Sequence, residues 1–408
     1  MRMNKSTTVT GTVALLVGIT ACTPLAQDLE ATAESPDPAF GTSVVLEEVF
    51  ADPREDDILS AVDAPFDEGH PPAHIDTAGL RSGGPPPDGI PSINQPRFEP
   101  ADSVLWLEDH EPVVTLDFNG HHRAYPVRIL TWHEIVNDTV DGVPLVITYC
   151  PLCNTAIAFD RRVDDRVLSF GVSGMLYNSD LVMFDRQTES LWPQVHGRAG
   201  VGHLAGTQLD FVPVTMVPWS QWREEHPDGW VLSRDTGHVR NYGRNPYVGY
   251  DEVGSDPLFP VAREDDRLLS KTRIVAFPSA TDSVAVVTQA VAAVGAITVE
   301  VDDDPIVIVA IDGLASALDD ISIAEGREIP WTRSFIARVE GQDLTFEPTV
   351  DASGAVTLVD AETGSTWNSN GRAIAGFFEG TQLETAVTID TFWFAWAAFR
   401  GDTTVISE

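Results

Sequence analysis

Cys150-Pro151-Leu152-Cys153 sets two thiols two residues apart, a spacing that serves two chemistries. In the first, one sulfur of lowered pKa attacks a substrate and the other resolves the mixed disulfide. In the second, the turn is a metal knuckle: Pro151 fixes one dihedral, both thiolates face one point, and Asn154 tolerates the left-handed conformation in which such a turn ends. A structural zinc site takes four protein ligands, usually from two knuckles, and the only other cysteine is Cys22, so a zinc ribbon within one chain is excluded. A mixed site of Cys150, Cys153, His133 and one further group stays open for copper, iron or zinc. A third reading is a non-catalytic binding or scaffold protein with a small disulfide, although so short a loop contributes little chain-entropy stabilisation.

Other residue types near this motif can act with it. Residues 127–137 predict a short amphipathic helix that leads into an apolar strand over residues 144–149, which delivers Cys150. If that helix folds back on the strand, the His133 imidazole approaches the thiols; the plainer reading is that His133 packs or caps the helix. Glu134 is a candidate general acid or base, against the alternative of a solvated helix-surface carboxylate. In residues 171–180, Tyr177, Asn178 and Asp180 are candidates for lining a pocket, though an Asn-Ser-Asp run also reads as a turn. Met175 reads as core or as a soft copper ligand, and His121, His122 and His196 carry little metal signal.

A repeat sharpens the choice. Asp185-x-x-Thr188-x-Ser190-x-Trp192, Gly197-Arg198-Ala199, Gly206-Thr207-Gln208-Leu209 and Trp219-x-x-Trp222 return as Asp360-x-x-Thr363-x-Ser365-x-Trp367, Gly371-Arg372-Ala373, Gly380-Thr381-Gln382-Leu383 and Trp393-x-x-Trp396. The offset is 175 at Trp192 and 174 at Leu209, and upstream Pro96, Asp141 and Pro144 match Pro257, Asp302 and Pro305 at 161. Residues kept in both copies are those such a unit needs in order to fold; residues in one copy are free to serve chemistry. That sieve retains Cys150, Cys153, His133 and Glu134.

Asn119-Gly120 predicts a hairpin between residues 113–118 and 121–125, and Asp164-Asp165 another between 156–159 and 167–170. Residues 218–225 predict a helix with Pro218 at its first position, and Asp390 or Thr391 is expected to cap a last helix carrying Trp393 and Trp396. The fold class is α+β, strand-dominated: two similar tandem units, an internal duplication, packed about an approximate two-fold axis. The expected division is a lipoprotein signal peptide over residues 1–21, an acidic Pro/Gly-rich tether over 22–88 whose end packs on the domain, a first unit over 89–256 and a second, motif-less unit over 257–408.

Arg2 and Lys5, the apolar run of residues 13–19 and Thr20-Ala21 before Cys22 predict lipidation of Cys22, and with it a chain held on the extracytoplasmic side of a bacterial membrane, in the cell envelope. A net charge of −37 repels phosphate backbones, so nucleic acid is not an expected partner. Nucleotide loops, Gly-x-Ser-x-Gly elbows and His-Glu-x-x-His helices are lacking, so nucleotide hydrolysis and the common hydrolase chemistries have no support.

Asp88-Gly89-Ile90-Pro91, residues 132–138, Thr148-Tyr149-Cys150-Pro151-Leu152-Cys153, Tyr177-Asn178-Ser179-Asp180 and residues 188–192 together resemble the bacterial proteins grouped as domain of unknown function 3179, over roughly residues 88–399. Some of that family are labelled possible selenoproteins. The resemblance implies that a Cys of this motif can be selenocysteine, which favours redox over metal storage. Asn154 stands where the family pattern often has Gly, a departure that bears on the turn and not on the sulfurs.

Overall fold

Across Asn119 and Gly120, at φ 49° and 80°, β1 (Pro112–Phe118) and β2 (His121–Pro126) pair antiparallel, the two left-handed positions of a type I′ turn. This computed structural model describes residue 54 and residues 57–279, 283–352 and 354–407. Of these, 40% lie in strands and 10% in helices.

Helix α1 (Val127–His133) follows β2 and stops at Glu134, whose φ of 59° is left-handed. The helix expected to reach Asn137 is therefore shorter. β-Branched Ile135, Val136, Thr139 and Val140 belong to β3 (Ile135–Val140), where pairing with β4 (Val143–Cys150) outweighs the helical periodicity. β5 (Thr155–Asp160) pairs with β4 and not with residues 167–170; the Asp164-Asp165 turn joins two-residue strands, Arg162–Val163 and Arg166–Val167. Then come β6 (Phe170–Tyr177), β7 (Asp180–Asp185) and β8 (Leu191–Pro193), in one antiparallel sheet. β9 (Thr215–Pro218) returns antiparallel to β1, α2 (Trp219–Glu225) follows, and β10 (Trp230–Leu232) lies parallel to β2.

From Arg273 the order is a hairpin of β11 (Arg273–Ala276) and β12 (Val284–Val287), α3 (Thr288–Val294), then β13 (Ala296–Val301), β14 (Asp304–Ala315) and β15 (Glu328–Ile336) in one sheet. β16 (Phe346–Val350), β17 (Val356–Asp360) and β18 (Thr366–Asn368) form the next. β19 (Ile389–Phe392) returns antiparallel to β11, α4 (Trp393–Ala397) follows, and β20 (Thr404–Ile406) lies parallel to β12. Asp390 and Thr391 lie in β19 rather than capping α4, whose N-cap is Phe392 and has no side-chain cap bond. Both are engaged elsewhere, with Thr332 and Thr155.

The repeated polar residues do the same work twice. Asp185 accepts from the Thr188 amide (2.6 Å) and the Trp192 indole (3.0 Å); Asp360 accepts from Thr363 (2.6 Å) and Trp367 (2.9 Å). Trp192, Trp219, Trp222, Trp367, Trp393 and Trp396 are all among the largest fully buried side chains. Cys150 and Cys153 belong to a core that includes Ile274, Phe392 and Trp393. The end of the expected tether packs on the body: Ala61 is buried, and Leu80–Ser82 pair antiparallel with β6. Cys22 and the expected signal peptide lie outside the described residues. Among those described, no helix is long and apolar enough to cross a membrane.

Candidate functional site

The two cysteines sit at opposite ends of a reversal of direction. Cys150 ends β4 and pairs with Thr155 at the start of β5; between them the Asn154 amide donates to Pro151 O (3.3 Å), with Asn154 at φ 51°. The turn is then clamped by β19. The Phe392 amide donates to Cys153 O (3.0 Å), and the Thr155 and Thr391 hydroxyls bond at 2.6 Å. Bonds from a separate sheet thus hold the motif in one conformation, which lowers the entropy cost of bringing the sulfurs together.

Cys150 and Cys153 are free thiols, 2% and 0% exposed. Their surroundings differ. Cys150 lines a cavity of about 140 Å³ whose walls include Glu134, Tyr247, Met175, Ile90 and Phe259. Cys153 lies behind it and donates to Asp180 Oδ1 (3.5 Å). Burial pushes the Cys153 thiol up, and its bond to Cys150 and the charges of Cys150 and Asp180 add to the effect. Asp180 begins β7 after Asn178 and Ser179, both left-handed at φ 54° and 63°, so that a tight hairpin aims its carboxyl at the turn. Burial raises Asp180 to about 7, although the Val195 amide (3.0 Å) and the Cys153 thiol favour its charged form.

Glu134 is buried, 6% exposed, and burial alone raises it to about 8. Among the described residues no hydrogen bond or ion pair reaches its carboxyl. It enters the cavity as a neutral acid at pH 7 because nothing there compensates a charge. Its backbone position is itself a signal: a non-glycine residue at φ 59°, ψ −30° sits in a sparsely populated region, and such strain concentrates at functional sites. Helix α3 ends on Gly295, 161 residues after Glu134, at φ 90°, ψ −40°.

The other expected site residues divide. His133 does not join the thiols. Its Nδ1–H donates to Pro91 O (2.7 Å) and its Nε2 accepts from the Tyr242 hydroxyl (2.6 Å), while burial lowers its pKa to about 4. It packs the helix end as a neutral imidazole with both nitrogens engaged. Tyr177 pairs with Leu80 and lies 5.8 Å from the Phe399 ring, and Asn178 Oδ1 accepts from the Ala262 amide (2.8 Å). Both are placed as supports of the β6–β7 turn, outside the cavity walls. His133 is not part of the close group formed by Cys150, Cys153 and Asp180, whose sulfur and carboxylate atoms all lie within 4.8 Å of one another. Tyr247, on an irregular loop with no periodic pattern, is a cavity residue the sequence did not point to.

The profile of a family described as protein of unknown function (DUF3179) matches residues 87–403. The chain belongs to this family. Its matched span includes both cysteines, Glu134 and Asp180, and extends through β19, so the strand that clamps the thiol turn lies inside the family's domain. No curated protein and no solved structure matches the chain.

Proposed function

We propose that the protein carries out thiol–disulfide exchange with Cys150 as the attacking sulfur and Cys153 as the resolving one. One observation supports this most: Cys150 faces the cavity beside a neutral carboxylic acid, whereas Cys153 is held behind it on a carboxyl that titrates near neutrality. In the forward direction Cys150 gives its proton to water and the thiolate attacks a disulfide R–S–S–R′, forming Cys150–S–S–R and releasing R′S⁻, which takes the Glu134 proton. Asp180 accepts the Cys153 proton, and the Cys153 thiolate attacks Cys150 Sγ. This expels RS⁻, which takes up the proton released through Asp180, and leaves the Cys150–Cys153 disulfide. The substrate gains two electrons and the protein loses two, to be restored by an external dithiol. A cavity of about 150 Å³ holds benzene, so the space here suits a short apolar R group rather than the surface of a folded partner.

The trapping experiment tests the order of attack. Cys153→Ser, mixed with a small apolar disulfide such as dimethyl disulfide, should accumulate a stable adduct on Cys150, seen by intact mass, while Cys150→Ser should form none. Equal labelling of the two variants would overturn the assignment. The close set of Cys150, Cys153 and Asp180 supports a second reading, a bound zinc or copper ion; stoichiometric metal in the purified chain, lost in both serine variants, would select it.

Two further readings go with this proposal. The basic start, apolar run and Cys22 support a lipid-anchored chain in the cell envelope, to be checked by whether Cys22→Ser is recovered without detergent. An internal duplication about an approximate two-fold is supported by the shared order of hairpin, helix, sheet and parallel closing strand. Reciprocal packing adds to that support: β19 lies against β5, and β9 against β15.

A further inference from the structure

We infer that Asp117, His122 and His226 form a second site, for a divalent transition-metal ion of the zinc class, in a cleft distinct from the thiol cavity. Asp117 and His122 are directly paired across the β1–β2 hairpin, and His226 is the C-cap of α2, which brings its ring over His122 at 4.1 Å between centroids and 19° between planes. The ligand atoms of all three lie within 4.8 Å of one another.

The spacing suits an ion. With metal–ligand bonds of about 2.0–2.1 Å, a tetrahedral site holds its donor atoms about 3.3 Å apart. His226 Nε2 stands 3.4 Å from Asp117 Oδ1. His122 Nδ1–H donates to the same oxygen at 2.6 Å, and has to give up that proton and open by about 0.7 Å. His122 has the freedom to do so, being 41% exposed, while His226 is held at 14%. Two imidazoles and one carboxylate suit zinc, copper or nickel; calcium and magnesium take oxygen donors.

Two independent features point to a ligand here. The residues line a cleft of about 510 Å³ in which the hydroxyl of Thr115, itself buried, has no hydrogen-bond partner among the described residues. A buried hydroxyl left unpaired costs free energy, which a metal-bound water or anion would recover. The donor set also fails to recur: the positions 161 residues after Asp117 and His122 hold Pro278 and Ser283, and the position 174 after His226 holds Arg400. Three protein donors leave a coordination position free, and the cleft wall carries Arg372 and Asn370, groups that would meet an anionic ligand on the ion.

The test uses the full chain carrying Cys150→Ser and Cys153→Ser, which removes the thiols as competing ligands. Equilibrium dialysis against zinc should show one ion per chain, and cobalt should give the intense visible absorption of a tetrahedral site. Adding His122→Ala with His226→Ala, or His226→Gln alone should the pair unfold, should weaken binding at least about tenfold and remove the cobalt bands. No uptake by the parent chain, or uptake and spectrum unchanged in the histidine variants, would overturn the site.

Discussion

Glu134→Gly is expected to make the protein more stable and less active at once. Glycine removes the left-handed strain at φ 59° and a buried carboxyl without partners, and Gly295 at the end of α3 shows that glycine fits such a helix end. Relief of strain is on the order of 1–3 kcal/mol, against about 0.5–1 kcal/mol for the added freedom of glycine in the unfolded chain. The net gain of about 1 kcal/mol should raise Tm by roughly 2 °C in a calorimetric scan. Exchange with a small disulfide should fall about 100-fold for loss of the general acid. A variant that is destabilised by more than about 1 kcal/mol, or that keeps full activity, would show that Glu134 serves packing instead.

The pH dependence of stability follows from the same carboxyls. Glu134 is raised from 4.5 to about 8 and Asp180 from 3.8 to about 7, so the folded state holds protons the unfolded chain has released. Their contribution is fully present below the unfolded values and is lost as pH rises through the folded ones. Urea midpoints should therefore fall from pH 5 to pH 8, with a flatter profile in Glu134→Gln.

Asp180→Asn should separate the two sulfurs kinetically. Asp180 is half ionised near pH 7, and its carboxylate is the proposed acceptor of the Cys153 proton. Without that acceptor, attack on the mixed disulfide slows by about 100-fold while alkylation of Cys150 changes little. The resolving rate of the native chain should rise with pH through about 7, and the variant should lose that inflection. An unchanged inflection in Asp180→Asn would assign the proton acceptor elsewhere.

How much of this was legible in the residues varies with the range of the interaction. The thiol turn and the left-handed Asn154 are local, and Asn119-Gly120 states its hairpin outright. Glu134 emerged because it is absent from the second copy, but as a helix-surface acid; that it caps a shortened helix depends on β3–β4 pairing, which no helical periodicity reports. Asp180 was a candidate for lining a pocket, but it lies outside the cavity walls, and its bond to Cys153 comes from the β6–β7 hairpin folding over the turn. Of the two readings of His133, packing at the helix end is the one observed; chain proximity to the sulfurs says nothing about Pro91 and Tyr242, which take up its ring. His226 and Asp117 meet only when α2 lies over the first hairpin, so their separate positions carried no signal.

A redox titration of the metal-free full chain shows whether Cys150 and Cys153 form a reversible redox pair. After equilibration with glutathione or dithiothreitol buffers, acid quenching and alkylation, intact mass counts the free thiols. A single two-electron transition is expected, in which both cysteines are lost together, absent from Cys150→Ser and Cys153→Ser. Thiols that stay reduced, or a disulfide that stays closed, across the whole range from about −120 to −300 mV would contradict it.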